Sequence, residues 1–326
     1  MKKTVFITTI ILAFCCFSCD NEPYDGEIFI AQPVTADPTP DPDPDPVDPV
    51  DPDPVGGSFQ LNDYDYIKTY TSAGEDITFI TDFVINANNQ FLSQNTMFTL
   101  FGITVNGVGN IIRDENSRVT EVRTTVGGTL VNRTTVIYNL DKINDIIYED
   151  LEDPSENFTF TFTHLNNVVT RVKEGTIFST KFTFDETTSK LITRETMENG
   201  TVVKTENSSY DSNGNLISVL ITGQDANTYT YQYDSNTNPL RMSLNDLYVY
   251  SILNDEYDDQ YEHWQAMIYS QNNVTGVITQ QGSSILSVQY DASNRITSRN
   301  GNIYTSVPTV SSDGAITIDE TFQYIN

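Results

Sequence analysis

One short unit recurs along this chain, and it limits the fold more than any other feature. Its clearest copy is Tyr210-Asp211-Ser212-Asn213-Gly214-Asn215-Leu216. It returns as Tyr233-Asp234-Ser235-Asn236-Thr237-Asn238-Pro239-Leu240 and as Tyr290-Asp291-Ala292-Ser293-Asn294-Arg295-Ile296. Looser copies begin at Ile85, Ile112, Tyr138, Phe162, Phe184, Tyr269 and Val310. From position 85 to position 310 the nine steps average 25 residues, (310 − 85)/9. The template is an aromatic or aliphatic residue, then Asp, Asn or a substitute, a short polar tract, and an aliphatic residue. That is the chemistry of a hairpin loop. Asp and Asn accept hydrogen bonds from backbone amides two residues on, and Gly or Asn takes the left-handed conformation that closes the loop.

The segments between units alternate as half-buried strands do. Phe158, Phe160 and Phe162 share one face against Thr159, Thr161 and Thr163, and Tyr229, Tyr231 and Tyr233 repeat the pattern opposite Thr228, Thr230 and Gln232. The expected fold is all-β, an antiparallel meander of about ten hairpin repeats over 59–326, with roughly 20 strands in a curved or rolled sheet. Repeat architectures of this kind bury one face against neighbours or by curling.

The first 58 residues read differently. Met1-Lys2-Lys3 and the apolar run Thr4 to Phe17 have the form of a signal peptide over 1–18, too short to span a bilayer. The segment 19–36 opens on Cys19 and continues with Asp20, Glu22, Asp25 and Glu27. Within 37–58, residues 37–54 read DPTPDPDPDPVDPVDPDP. Proline fixes φ and the Asp residues repel one another, so this linker is expected to be extended polyproline II. At 3.1 Å per residue its 18 residues reach on the order of 55 Å.

Two resemblances follow from these residues. Cys16-Phe17-Ser18-Cys19 resembles the lipobox of bacterial lipoproteins, with Cys16 where Leu is usual. That resemblance implies cleavage before Cys19 and fatty acylation (palmitate-type chains) of its sulfur and amine. The acidic residues after Cys19 are similar to the export signals of Bacteroidota surface lipoproteins, which implies an outer-membrane anchor with the protein facing the cell exterior. The Tyr-Asp units resemble the YD repeats of Rhs-type proteins. The stretch 59–326 looks more like a set of Bacteroidota lipoproteins with degenerate YD-like repeats, on the strength of Asn238-Pro239, an apolar insertion, Asn272-Asn273-Val274 and Tyr290-Asp291. Most units lack the Gly and Arg that flank Tyr-Asp in full Rhs repeats, and the chain ends just after the last repeat, so neither a closed Rhs shell nor a toxin cargo is expected.

One segment breaks the meander. Near 243–266, Leu244, Leu247 and Tyr248 have helical spacing after Ser243 as a candidate N-cap. Tyr257, Tyr261 and Trp264 at i, i+4 and i+7 would form one stripe on a helix. The stripe fits either the core of a small helical cap on the sheet or a platform on which sugar rings stack. Asp255, Asp258 and Asp259 offer hard oxygens for calcium without the Gly and Glu spacing of an EF-hand loop. His164 and His263 have no second His nearby and read as structural.

Composition narrows the function. With 17 Lys+Arg against 45 Asp+Glu, the formal net charge is −28, which argues against nucleic acid and anionic lipid surfaces as partners. No Cys follows Cys19, which leaves the folded part without thiolate chemistry. No phosphate-binding Gly loop or nucleophile elbow is present, and nothing marks a pair of opposed carboxylates. The leading expectation is a non-enzymatic lipoprotein, tethered through Cys19, that binds an extracellular or envelope partner, with a polysaccharide among the candidates. The alternatives are a spacer without a ligand and a tethered glycan hydrolase.

Overall fold

The computed structural model describes residues 59–72, 75–100, 103–255, 263–304 and 315–325. The anchor and linker expectations for 1–58, and the unit beginning at Val310, lie outside these residues. The meander opens with β1 (Leu61–Ser72), β2 (Glu75–Ile85), β3 (Phe91–Leu100), β4 (Ile103–Arg113), β5 (Val119–Val126) and β6 (Thr129–Asn139). It continues through β7 (Lys142–Asp150), β8 (Phe158–Leu165), β9 (Val168–Lys173), β10 (Phe178–Phe184), β11 (Leu191–Glu198) and β12 (Thr201–Tyr210). Next come β13 (Leu216–Gly223), β14 (Asn227–Thr237), β15 (Asn272–Ile278), β16 (Ser283–Ile285), β17 (Ser287–Tyr290), β18 (Ile296–Tyr304) and β19 (Ala315–Tyr324).

Every pairing is antiparallel, and β1 pairs with β19 as well as with β2, so the sheet rolls up on itself into a barrel-like ring. Strict alternation around 19 strands would leave β1 and β19 parallel. The observed antiparallel closure follows because β16 and β17 are two halves of one segment running in one direction, joined through Leu286. The first half pairs with β15 and the second with β18. The ring is therefore geometrically 18-stranded.

Alternating strands have put the repeat turns on one rim. The hairpin at Asp211 shows their construction. Asp211 Oδ1 accepts the amides of Asn213 and Asn215, its own amide donates to the Asn215 carbonyl, and Gly214 takes a φ of 85°. Asn86, Asp114 and Asp291 repeat this pattern, with Asn89, Ser117 and Asn294 in the left-handed position. Asp185 does the same with a loop one residue longer. The structure corrects the register of three units: the turns lie at Asp114–Arg118, at Leu140-Asp141 and at Asn166-Asn167, two to four residues beyond the starts Ile112, Tyr138 and Phe162. The unit at Tyr233 closes no hairpin, because β14 runs on through it to Thr237 and the chain then leaves for a helical insertion. Tyr269 begins none either. It ends a helix from which the chain passes into β15.

Adjacent units are tied together at this rim. The Tyr210 hydroxyl donates to the Leu191 carbonyl, Tyr233 to Leu216 and Tyr324 to Ile296. Tyr210 and Tyr233 each reach the aliphatic residue of the unit before their own, and Tyr324 does so from the end of β19. Arg113 does the same to the Phe91 carbonyl, and His164 bonds the Ile143 carbonyl in its place.

The insertion is wider than the sequence suggested and sits inside the ring. It comprises α1 (Pro239–Leu244), a 3₁₀ turn Asn245–Leu247, α2 (Tyr248–Asn254) and α3 (Trp264–Tyr269). Asn238 is the cap of α1, accepting the Leu240 amide ahead of Pro239, while Ser243 is buried within the helix and donates to Asn89. Core clusters reach these helices from all sides. Val122, Ile146, Phe160 and Phe182 pack with Tyr250, Ile252 and Leu253. Val219, Tyr229, Val277 and Ile318 pack with Ala266 and Met267. Leu61, Tyr64, Phe91 and Phe322 pack with Leu240, Leu244 and Leu247. The insertion is thus a plug that enters and leaves through the repeat rim.

Candidate functional site

The outward face of the wall is mostly polar, with single exposed apolar side chains such as Val84, Met97, Ile137 and Leu220 scattered over it. Arg123 and Glu121, Arg133 and Glu149, and Lys181 and Glu195 form ion pairs across or along its strands, among rows of Thr. A lipid-facing barrel carries an apolar outer band, and these strands do not. Among the described residues no helix is long and apolar enough to cross a membrane.

The lumen combines the plug with buried charge. Arg194, 1% exposed, lies 3.0 Å from Glu206 Oε2 and 2.5 Å from Asp255 Oδ2, and Lys204 Nζ is 3.4 Å from Glu206 Oε1. Arg171 donates to the carbonyls of Leu253 and Asp255 at the end of α2, with its guanidinium 4.2 Å from the centre of the Phe160 ring. On the opposite wall Arg299 makes two bonds to Glu320, of 2.5 and 2.8 Å, and Tyr64 donates to the same carboxylate at 2.6 Å. Burial alone would pull the Arg299 guanidinium down, but Glu320 beside it holds it above its ordinary value. Burial, reinforced by Glu320, pushes the Tyr64 phenol well up. At buried sites such pairs persist only when geometry and hydrogen bonds make good the lost hydration. These groups fix the plug and the wall, and the carboxylates Glu206 and Glu320 are occupied by cations.

Of the residues singled out from sequence, Trp264 opens α3, is half-buried, packs with two of the core clusters and meets Tyr269 edge to face at 5.8 Å. His263 before it is left-handed, with φ 58°, so no regular helix runs through it into Trp264. Tyr257, Tyr261, Asp258, Asp259 and Cys19 lie outside the described residues. Asp255 faces Arg194. His263 Nδ1 bonds the Tyr231 hydroxyl, its Nε2 faces the Tyr304 carbonyl, and burial drops its pKa to about 4, so it is a neutral, built-in ring.

A cluster absent from the sequence reading appears on the outer face. Carboxylate oxygens of Asp63, Asp65 and Asp82 lie within 4.8 Å of one another, an arrangement that could hold a divalent cation. Partial burial and then like charge raise Asp63 and Asp65 above the usual carboxylate range. The signal available in sequence was Asp63 and Asp65 at i and i+2 on one strand face; the pairing that adds Asp82 is a matter of β1–β2 register.

Residues 210–246 match the family model described as RHS Repeat. No curated protein matches the chain. Among solved structures, a porin-like protein from Bacteroides uniformis is similar at 12% identity and a TM-score of 0.45, covering 82% of this chain and 98% of that one. A porin-like protein from Bacteroides vulgatus is similar at 9% identity and a TM-score of 0.28, over 81% and 98% of the two chains. A TcdB2-TccC3 structure without its hypervariable C-terminal region is similar at 12% identity and a TM-score of 0.27. There the match covers 70% of this chain and 15% of that one.

Proposed function

We propose that this protein is a non-enzymatic envelope lipoprotein, held to the outer membrane by acyl chains on Cys19 and presenting its barrel to an extracellular or envelope partner. The observation that carries the reading is the combination of a polar outer wall with a lumen filled by the plug. Such a body needs no lipid around it and conducts nothing through its centre, which suits display at the end of a tether. The lipobox-like Cys16-Phe17-Ser18-Cys19 and the Asp-Pro linker supply the anchor and the reach. Hydrolysis is disfavoured because the lumenal carboxylates Glu206 and Glu320 are committed to Arg194, Lys204 and Arg299. The partner is a polysaccharide or another envelope protein.

Fractionation of cells expressing the full chain tests the anchor. Wild-type protein is expected in the membrane fraction and accessible to added protease on intact cells, with Cys19→Ala in the soluble fraction. Membrane retention of Cys19→Ala would refute the lipid anchor. Release of reducing ends from any polysaccharide incubated with the purified chain would overturn the non-enzymatic part.

A further inference from the structure

The ring has two unlike rims, and the chain enters at only one of them. Leu61 pairs with Tyr324, and Gln60 donates to the Ala87 carbonyl in the Asn86 turn, so β1 starts at the rim of repeat turns. The plug enters by that same rim and reaches inward as far as the end of β18, where His263 faces the Tyr304 carbonyl. On the proposed anchoring, the repeat rim faces the tether and the other rim faces away from it.

The far rim has a distinct arc. Its hairpins between β7 and β8, β9 and β10, and β11 and β12 are successive around the ring, about 10 Å apart at two strand spacings each. The Asn199 amide bonds the Ile177 carbonyl, which joins two of these tips. Each tip leaves apolar side chains about half exposed: Leu151 at 47%, Ile177 at 48%, Phe178 at 47% and Val202 at 46%. Phe158 lies half-buried behind them, stacked on Tyr148 at 5.0 Å. Around these side chains stand Glu152, Asp153, Glu156, Glu174, Glu198 and, one hairpin on, Asp225, against Lys173 as the basic residue of the arc. The Lys173 ammonium is turned onto the Phe158 ring, 4.5 Å from its centre.

We propose that this arc, Leu151 to Val202 with its acidic border, is a docking surface for a basic, amphipathic protein segment. The inference rests on the tethered-display reading and names the class of partner. Charge complementarity selects a cationic partner, since six acids border the apolar row and its one base is occupied by a ring. The apolar row selects a protein over a glycan. Its exposed side chains are aliphatic apart from Phe178, whereas sugar faces are bound by Tyr and Trp with hydrogen-bonding tips. Anionic lipid is repelled by the same border.

The test uses the purified full chain and two synthetic peptides, one alternating Lys and Leu and one alternating Glu and Leu. Any acidic protein attracts a cationic peptide, so position decides. The Lys-Leu peptide is expected to bind and the Glu-Leu peptide not. Binding should weaken at least tenfold in Glu152→Lys/Glu174→Lys and, separately, in Ile177→Ser/Phe178→Ser. It should change less than twofold in Glu115→Lys/Glu186→Lys, which makes the same charge change on the repeat rim. Thermal melts of all three variants are expected to match wild type, since the side chains are exposed. Equal loss in the repeat-rim variant, or no loss in the arc variants, would overturn the proposal. That failure is separate from the anchor reading, which is decided by the fractionation of Cys19→Ala and does not involve the arc.

Discussion

Asp211 shows how much one side chain does in this fold. Its carboxylate takes two backbone amides and the Asn215 side-chain amide. Slight burial pushes Asp114, Asp211 and Asp291 up, but the amides they accept outweigh it and hold all three below their ordinary values. At Asp185 the Thr188 amide is the largest influence and acts in the same direction. A carboxyl depressed in the folded state contributes stability above its unfolded pKa of about 3.9, lost as pH falls through the folded value. The chain should therefore lose stability below about pH 4, and Asp→Asn at all four positions should flatten that acid limb in urea melts. Asp211→Ala alone should cost about 1 kcal/mol, the usual net worth of such bonds. Asp246 has the opposite sign. Burial lifts it to about 6 against the pull of Arg113, 3.7 Å away. The folded state then holds a proton the unfolded state has released, so stability should fall as pH rises from about 4 to about 6. Asp246→Asn should remove that slope, and an unchanged slope in the variant would refute the assignment. The turn aspartates were legible in sequence because an Asx loop is local, closing within five residues. The Asp246 environment was not, because Arg113 reaches it from a strand more than a hundred residues earlier.

Among the elements, the plug is the part that sequence patterning located but misplaced. The spacing of Leu244 and Leu247 points to apolar helical turns, and both are buried there. Ser before an apolar run is the local cap signal and points to Ser243, yet Asn238 caps the helix. Its side-chain amide also donates to the carbonyls of Met267, Ile268 and Ser270, fastening the end of the insertion to its start. Those partners lie about thirty residues away and leave no periodic trace. Leu247 is fully buried where plug meets wall. Leu247→Ala should cost about 2–5 kcal/mol, the range for a large-to-small change in a packed core, measured by denaturant melts with the outer hairpins followed by hydrogen exchange. Arg194→Ala should cost about 3–5 kcal/mol because Glu206 and Asp255 both lose their buried guanidinium partner, with Lys204 still beside Glu206. Arg194→Ala with Asp255→Asn should recover part of that loss, which would show that the penalty lies in a carboxylate deprived of its guanidinium. Pairings such as Arg194 with Asp255 join positions far apart in sequence, and for that reason the lumenal chemistry was invisible to pattern reading.

For the whole molecule the decisive contact is the seam between β1 and β19. No local sequence signal marks it. The alternation of Tyr64, Tyr66, Lys68 and Tyr70 says only that β1 has an inward face, and the sheet could have stayed open. Closure removes both free edges, which are otherwise templates for pairing between molecules. Deleting 315–324 should expose β1 and β18 as edges, and the truncated chain should run as oligomers in size-exclusion chromatography where the full chain runs as a single species. A truncated chain that stays monomeric would show that the seam is not what keeps copies apart.

The kinked segment of β16 and β17 carries a consequence for how such chains diversify. An antiparallel ring closes only on an even count, so losing or gaining one strand would force its two ends to run side by side in the same sense. A whole repeat, out and back, preserves parity and moves the circumference by two strand widths. The sequence unit of about 25 residues is thus also the smallest step by which the barrel can be enlarged or reduced. The wedge of helices inside sets which circumference fits, so a duplication among the hairpins should spread only when the plug thickens with it.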